Sequence, residues 1–311
     1  MLETAGALRD ICGTSFIFRA GVWKPRTSPN TFQGAGDEAL KWLQEVKTTY
    51  GIPVATEVAT PEHVTKALAA GIDYIWIGAR SSANPLAVQA IADGLRVTGY
   101  GLRGLLIKNP VNADAKLWLG NIERLEKTGI PVIAIHRGCN HQPCWAMAHA
   151  VRQARPDIPM LLDPSHMSGD ASQVPVLMDK IEELGLDGAM IEVHCDPEHA
   201  LSDKAQQVTP QTLSNLINPI NPNTPNTELN WLRAEIDELD ERLWDTIAAR
   251  MDVSKRIGAW KKAHGVAPLQ PERVKVIGER LKVIGERLHL SGAFMQQIWE
   301  QIHQESLKQQ E

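Results

Sequence analysis

The chain has 311 residues, enough for two domains on a prior of about 150 residues each. Its 32 Lys and Arg against 37 Asp and Glu leave a formal charge of −5, which excludes a strongly basic nucleic-acid binder. No apolar stretch approaches the ~18 residues of a membrane span, the start Met1-Leu2-Glu3-Thr4 lacks the pattern of a secretory leader, and four cysteines (Cys12, Cys139, Cys144, Cys195) are too few for a disulfide scaffold, so a cytoplasmic chain is expected.

In chain order, short runs rich in β-branched residues fall at 16–19, 54–58, 74–78, 104–108, 132–136, 160–163 and 188–193, with helix-like segments between them. Strands alternating with helices predict a parallel α/β sheet covered by helices. The runs end in Arg19, Glu57, Arg80, Lys108, Arg137, His166 and Glu192. Polar residues at strand C-termini are the pattern of a (β/α)₈ barrel with its site at that rim. An open doubly wound sheet is the alternative, but no Gly-x-Gly-x-x-Gly turn follows an early strand. Seven runs are present where a closed barrel has eight.

Positions 218–227, Asn-Pro-Ile-Asn-Pro-Asn-Thr-Pro-Asn-Thr, predict a linker between a domain at 1–217 and another at 228–311. From 227 to 264 there is no proline, and Leu232, Ile236, Leu239, Leu243 and Ile247 mark one helix face. Such a helix, roughly 57 Å long at 1.5 Å per residue, needs a partner helix or a second chain to cover its apolar stripe. A second helix is predicted from Pro271 to His289 and a third from Ser291 onward. The second contains the tandem heptads 275–281 and 282–288, both Lys-Val-Ile-Gly-Glu-Arg-Leu, too few copies for a coiled coil.

Arg19, Lys24, Arg26, Arg80, Lys108 and Arg137 put cations on several strand ends, as binding of phosphate and carboxylate groups requires. His166, Glu192 and Asp203 add a mixed imidazole and carboxylate set suited to a divalent ion such as Mn²⁺, Zn²⁺ or Fe²⁺.

The motifs Lys24-Pro25-Arg26-Thr27-Ser28, Ile77-Gly78-Ala79-Arg80, Asp163-Pro164-Ser165-His166, Ile191-Glu192-Val193-His194 and Ala200-Leu201-Ser202-Asp203 resemble the 3-deoxy-D-arabino-heptulosonate 7-phosphate synthases over about 1–217. The resemblance implies condensation of phosphoenolpyruvate with erythrose 4-phosphate. It implies Arg19, Lys24 and Lys108 at the phosphoenolpyruvate carboxylate, Arg80 and Arg137 at its phosphate, and Arg26 and Thr27 at the sugar phosphate. It also implies a divalent metal, Mn²⁺ or similar, on His166, Glu192 and Asp203, activating the aldehyde. Members of that family begin with a strand ending Gly-Pro-Cys-Ser, whose cysteine is a fourth ligand. Here residues 1–5 align with the helix after that strand, so a barrel lacking its first strand is expected, through truncation or a late start. The segment His136-Arg137-Gly138-Cys139-Asn140-His141-Gln142-Pro143-Cys144 replaces a longer loop, and its spacing matches no standard zinc pattern. The 3-deoxy-octulosonate 8-phosphate synthases, which share the barrel but carry Asn where Pro25 and Arg26 stand, are an alternative.

In the C-terminal part, Arg250 and Lys261 lie eleven apart and share a helix face, with Arg233 pointing roughly 100° away. With Gln270, Arg273, Ser306 and Gln310, the pattern over 227–311 resembles the all-helical chorismate mutases, which are intertwined dimers needing no cofactor. That resemblance implies Arg250 and the partner chain's Arg233 at chorismate's carboxylates, Lys261 and Gln310 at the ether oxygen, and Gln270, Arg273 and Ser306 lining the site. Val274 stands where these enzymes often carry Glu. The combined expectation is a bifunctional, homodimeric enzyme of aromatic biosynthesis acting on small molecules, with neither nucleic acid nor membrane as partner. An active mutase carrying a non-catalytic barrel is the competing reading.

Overall fold

The computed structural model describes residues 1–24, 30–98, 101–217 and 228–310. The expected linker and Arg26 and Thr27 of the basic motif lie outside the described residues. The chain forms two compact units, Met1–Glu235 and Ile236–Glu311. Among the described residues no helix is long and apolar enough to cross a membrane.

The first unit runs α1 (Leu2–Cys12), β1 (Phe18–Ala20), α2 (Asp37–Tyr50), β2 (Val54–Val58), α3 (Pro61–Ala69), β3 (Tyr74–Ile77), α4 (Ala79–Ser82), α5 (Pro85–Thr98), β4 (Gly104–Lys108), α6 (Ala115–Glu126), β5 (Val132–His136), α7 (Trp145–Ala154), β6 (Met160–Leu162), α8 (Pro164–Ser168), α9 (Val174–Glu183), β7 (Gly188–Ala189) and α10 (Pro210–Leu216). The seven strands pair in parallel and in chain order, a half-barrel with β1 and β7 at its edges. Each apolar run found in the sequence contributes to one of them. The last run is shorter than expected because the Glu192 N–H donates to Ser165 Oγ at 3.0 Å, and Val193 bridges to Val208 instead of continuing beside β6.

The strands are apolar on both faces because both are covered, as a parallel sheet requires. Ala55, Trp76, Leu106, Ile135 and Met190 form one buried cluster, joined by Ile17, Ile133 and Leu161. Their chain neighbours Val54, Ile75, Ile77, Leu105, Ile107, Ala134 and Leu162 belong to a separate, larger cluster shared with the helices. This period-2 division separates an inner face from an outer one. Thr60 and Asp114 start α3 and α6 by accepting from the His63 and Leu117 N–H groups at 3.2 and 2.9 Å.

Three helices follow, α11 (Glu228–Ala263), α12 (Pro271–Leu288) and α13 (Gly292–Lys308). The first two turns of α11 belong to the first unit. There Trp231, 1% exposed, stacks on His149 at 5.4 Å and meets Trp145 edge-on at 6.3 Å. His149 Nδ1 lies 2.7 Å from Glu235 Oε1, and Asn230 donates to the Glu183 carbonyl at 2.9 Å. In the second unit α12 packs on α13. The heptad glycines differ: a Cβ on Gly285 would sit 3.2 Å from the Leu290 carbonyl, whereas one on Gly278 would meet open space.

Candidate active site

Stepping two residues onward from the inner cluster on each strand keeps the same face and reaches the strand C-termini. From Ile17 this gives Arg19, from Ala55 Glu57, from Trp76 Gly78, from Leu106 Lys108, from Ile135 Arg137, from Leu161 Asp163 and from Met190 Glu192. The pleat that buries the apolar layer thus sets a charged layer above it, as in barrel enzymes. A cavity of about 1070 Å³ opens there, lined by Arg19, Lys24, Glu57, Arg80, Lys108, His166, Glu192 and Asp203. Its other wall is apolar, with Phe16, Phe18, Ile191 and Leu213.

The charges are interlocked. Arg19 donates to Glu192 at 2.9 Å and lies over the Trp76 ring, 5.3 Å from its centroid. Lys24 Nζ donates to Ser202 Oγ at 2.5 Å and to Asp203 at 3.2 Å. Lys108, 5% exposed, donates to fully buried Asp163 at 2.6 Å. Asp163 also faces His166 Nδ1 at 3.0 Å. Burial alone would raise the Asp163 carboxyl, yet His166 and Lys108 hold it well below the usual carboxylate range. Burial likewise opposes the Glu192 anion, but Arg19, His166 and a hydrogen bond from Gln206 bring it down to about 2. At Glu57 burial prevails, and its carboxyl is pushed up despite Lys108, Arg19, His166 and Lys24. Gly78 makes room for it, since a Cβ there would lie 2.1 Å from Glu57 Oε1.

Glu57, Asp163 and Gln206 received no role from the sequence. The strand-end position of Glu57 was visible there, but not the burial that pushes its carboxyl up despite the cations around it.

The three proposed metal ligands are not gathered into one set. His166 Nε2 lies 3.8 Å from Glu192 Oε1, but Glu192 accepts from Arg19 on Oε1 and from Gln206, at 2.9 Å, on Oε2. Asp203 holds Lys24. Among the described residues no three His, Cys, Asp or Glu side chains converge as a metal site. A divalent ion does not fit these donors as arranged, because the protein's own cations and an amide occupy their oxygens.

Arg137, the first residue after β5, is held by Asn109, the first residue after β4. Asn109 accepts from the Arg137 N–H at 2.7 Å and donates to the Gly138 and Pro110 carbonyls at 3.0 and 2.8 Å. Asn140 and His141, with φ of 51° and 59°, close a tight turn across the Cys139–Gln142 bridge. Burial lowers the Arg137 pKa, Asp163 opposes this, and Arg80 is near enough to lower it further, which puts both proposed phosphate-binding guanidinium groups in one neighbourhood.

In the second unit, the face shared by Arg250 and Lys261 meets α13. Arg250 donates to Ser306 Oγ and, at 3.4 Å, to the Ile302 carbonyl. Lys261 Nζ, on a residue 9% exposed, donates to Gln310 Oε1 at 2.9 Å and to the Pro268 carbonyl at 2.5 Å. Gly258 permits this approach, since a Cβ there would lie 2.5 Å from Gln310 Cα. Gln270 and Arg273 are exposed near the start of α12, and Arg233 is exposed on α11.

A half-barrel of parallel strands with a cation-rich cavity at its rim, followed by helices that gather cations, defines the class. Residues 1–221 match the model of the DAHP synthetase I family, and the chain belongs to that family. Residues 232–311 match the model described as chorismate mutase type II. A phospho-2-dehydro-3-deoxyheptonate aldolase of Thermotoga maritima is 30% identical over 224 residues, covering 70% of this chain and 63% of its own. A 2-dehydro-3-deoxyphosphooctonate aldolase of Xylella fastidiosa is 27% identical over 245 residues, covering 70% of this chain and 83% of its own. The crystal structure of the Thermotoga maritima aldolase, a DAHP synthase, superposes with a TM-score of 0.60 at 28% identity, covering 69% of this chain and 62% of that one. The chain thus spans less than two thirds of that relative's length.

Proposed function

We propose that the chain is a bifunctional enzyme of aromatic biosynthesis. Its first unit condenses phosphoenolpyruvate with erythrose 4-phosphate, and its helical part rearranges chorismate to prephenate. The observation that carries the first activity is the single layer holding Arg19, Lys108 and Arg137, with Lys24 and Arg80 on the same cavity rim. Arg19, Lys24 and Lys108 take the phosphoenolpyruvate carboxylate, Arg80 and Arg137 its phosphate, and Arg26 with Thr27 the sugar phosphate. Gripping both ends of the enol fixes its nucleophilic carbon against the aldehyde, which replaces a bimolecular encounter by an oriented one. Glu57, whose carboxyl burial pushes above its ordinary range, lines the same cavity. A divalent ion, in the resembling synthases the activator of the aldehyde, would have to take Glu192 and Asp203 from Arg19 and Lys24, and no step here passes through it.

In the mutase, Arg250 and the partner copy's Arg233 bind the two carboxylates of chorismate. Lys261 and Gln310 donate to the ether oxygen, where charge builds as its bond to carbon breaks. The dimer rests on α11: Leu232, Ile236, Leu239 and Leu243 are 45–58% exposed along a 36-residue helix, a stripe a second copy would cover. Four free cysteines fit a cytoplasmic location.

The test is a pair of assays on the full chain: release of inorganic phosphate from phosphoenolpyruvate dependent on erythrose 4-phosphate, with and without Mn²⁺, and loss of chorismate. Both activities are expected, and Arg250→Ala removes only the second. Mutase activity without condensation would favour a non-catalytic barrel, and a monomer by light scattering would refute the dimer.

A further inference from the structure

The helical site contains one polar side chain that the mutase reading above, on which this inference rests, leaves without a task. His303 lies one turn before Ser306 on α13, so the two share one face of that helix, and Gln310 follows just past its C-terminus. That is the face α11 meets through the contacts Arg250 makes with Ser306 and the Ile302 carbonyl, and Lys261 makes with Gln310. The His303 Nε2 atom is buried and has no hydrogen-bond partner among the described residues. Trp299, one turn earlier, stacks on the ring with centroids 4.9 Å apart and planes 9° from parallel, which fixes the ring's orientation.

A buried nitrogen with no partner is costly, and native proteins keep few of them. Here it sits among side chains that all act on anions. Burial, reinforced by Arg250 and Lys261, lowers the His303 pKa, and among the described residues these two from α11 are the charged groups that act on it. The ring is therefore neutral at physiological pH and adds a hydrogen-bond donor without adding a third positive charge to the repulsion.

We propose that His303 is a further substrate-contacting residue of the mutase site, donating from Nε2 to an oxygen of the dicarboxylate that Arg250 and Lys261 hold. Arg250 and Lys261 supply charge at two points. His303, whose ring feels both charges, would supply a directional donor beside them, which favours a ligand with a carboxylate or hydroxyl oxygen at that place over a simple anion. Ser306 and Gln310 were legible from their motif, whereas the histidine one turn before Ser306 carries no pattern of its own.

The full chain is compared with His303→Leu, which keeps the volume and removes the donor, and His303→Gln, whose amide can restore it. Chorismate turnover and prephenate binding, the latter by tryptophan fluorescence, are measured for each. His303→Leu is expected to lower kcat/KM about 10- to 100-fold and to weaken prephenate binding, with His303→Gln within about threefold of the parent. Unchanged turnover in His303→Leu overturns the proposal and leaves the mutase reading standing, as does equal impairment of both variants, which would mark the ring as packing alone. Absence of turnover in the parent overturns the mutase reading and this proposal with it. Should His303→Leu lose helical signal, His303→Asn, too short to reach, replaces it: loss in Asn with retention in Gln supports the contact, and equal values refute it.

Discussion

Lowering the pH should expose His136 as an acid-sensitive point in the barrel. The imidazole is completely buried, with ring centroids 5.4 Å from Trp145 and 6.2 Å from Trp118. Burial pushes its pKa down from 6.5 to about 4, the Pro143 carbonyl pulling the other way. In the unfolded chain the ring takes a proton near pH 6.5 that the folded chain refuses until about pH 4. Stability therefore falls as pH drops through that window and levels off below it. At 1.36 kcal/mol per pKa unit the whole window is worth about 3 kcal/mol, and the part between about pH 7.5 and about pH 5 is worth about 2 kcal/mol. Glu192 and Asp163, whose pKa values are lowered, contribute stability that is lost only below the ordinary carboxylate range, so they do not mask this slope. Glu57, raised, works the opposite way but equally in a variant that leaves it untouched. The assay is urea unfolding at the two pH values for the parent and His136→Gln, followed by tryptophan fluorescence, which Trp118, Trp145 and Trp231 make sensitive to this core. The parent should lose about 2 kcal/mol more than the variant. A difference below about 0.5 kcal/mol would refute the reasoning, because the ring would then be protonated in the fold or open to water.

Trp231→Ala should destabilise the first unit by about 3–5 kcal/mol, read as an earlier urea midpoint, although the residue stands at the start of the first of the three C-terminal helices. Lys108→Met and Asp163→Asn should each cost about 3 kcal/mol by leaving a buried partner, and the double variant should cost clearly less than their sum in a double-mutant cycle. Gly258→Ala should lower chorismate turnover about 10-fold by driving the backbone at Gln310 away from Lys261, with barrel unfolding unchanged; unaltered turnover would show that Gln310 needs no such approach.

The half-barrel was legible because parallel strands covered on both faces read as short, nearly unbroken apolar runs, and six of the seven end within one position of the expected residue. The rim cations were legible for the same reason, as the first polar residue on an inward position. What the sequence did not show is pairing. Arg19 and Glu192 are 173 residues apart, and nothing local in either segment marks one as the partner of the other. The metal set was inferred from residue types alone, while the arrangement of those side chains depends on which charges reach them in three dimensions. Trp231 was hidden differently. The periodic stripe of Leu232, Ile236, Leu239 and Leu243 draws the eye, yet those side chains are exposed, and the buried residues of the same turns are Trp231 and Ala234, offset by one position. An amphipathic helix with two apolar phases shows only the stronger one to a periodicity count.

The pairing itself explains how a rim this rich in cations can fold. Arg19, Lys24 and Lys108 lie in a largely dehydrated layer where unmatched like charges would repel and lose hydration together. Glu192, Asp203 and Asp163 remove that penalty within the chain. The same pairing sets the terms for a ligand. An incoming anion does not fill a bare positive patch; it exchanges with a carboxylate already in place, so its net gain is the difference between two charge-assisted sets of contacts. A small anion with one point of attachment gains little by that exchange. On the proposed assignments, a molecule with a carboxylate at one end and a phosphate at the other would engage Arg19, Lys24 and Lys108 while it also engages Arg80 and Arg137, and the second attachment would follow at the high effective concentration set by the first. On that proposal, selectivity for a substrate with two anionic groups would come from the internal ion pairs as much as from the cations they hold.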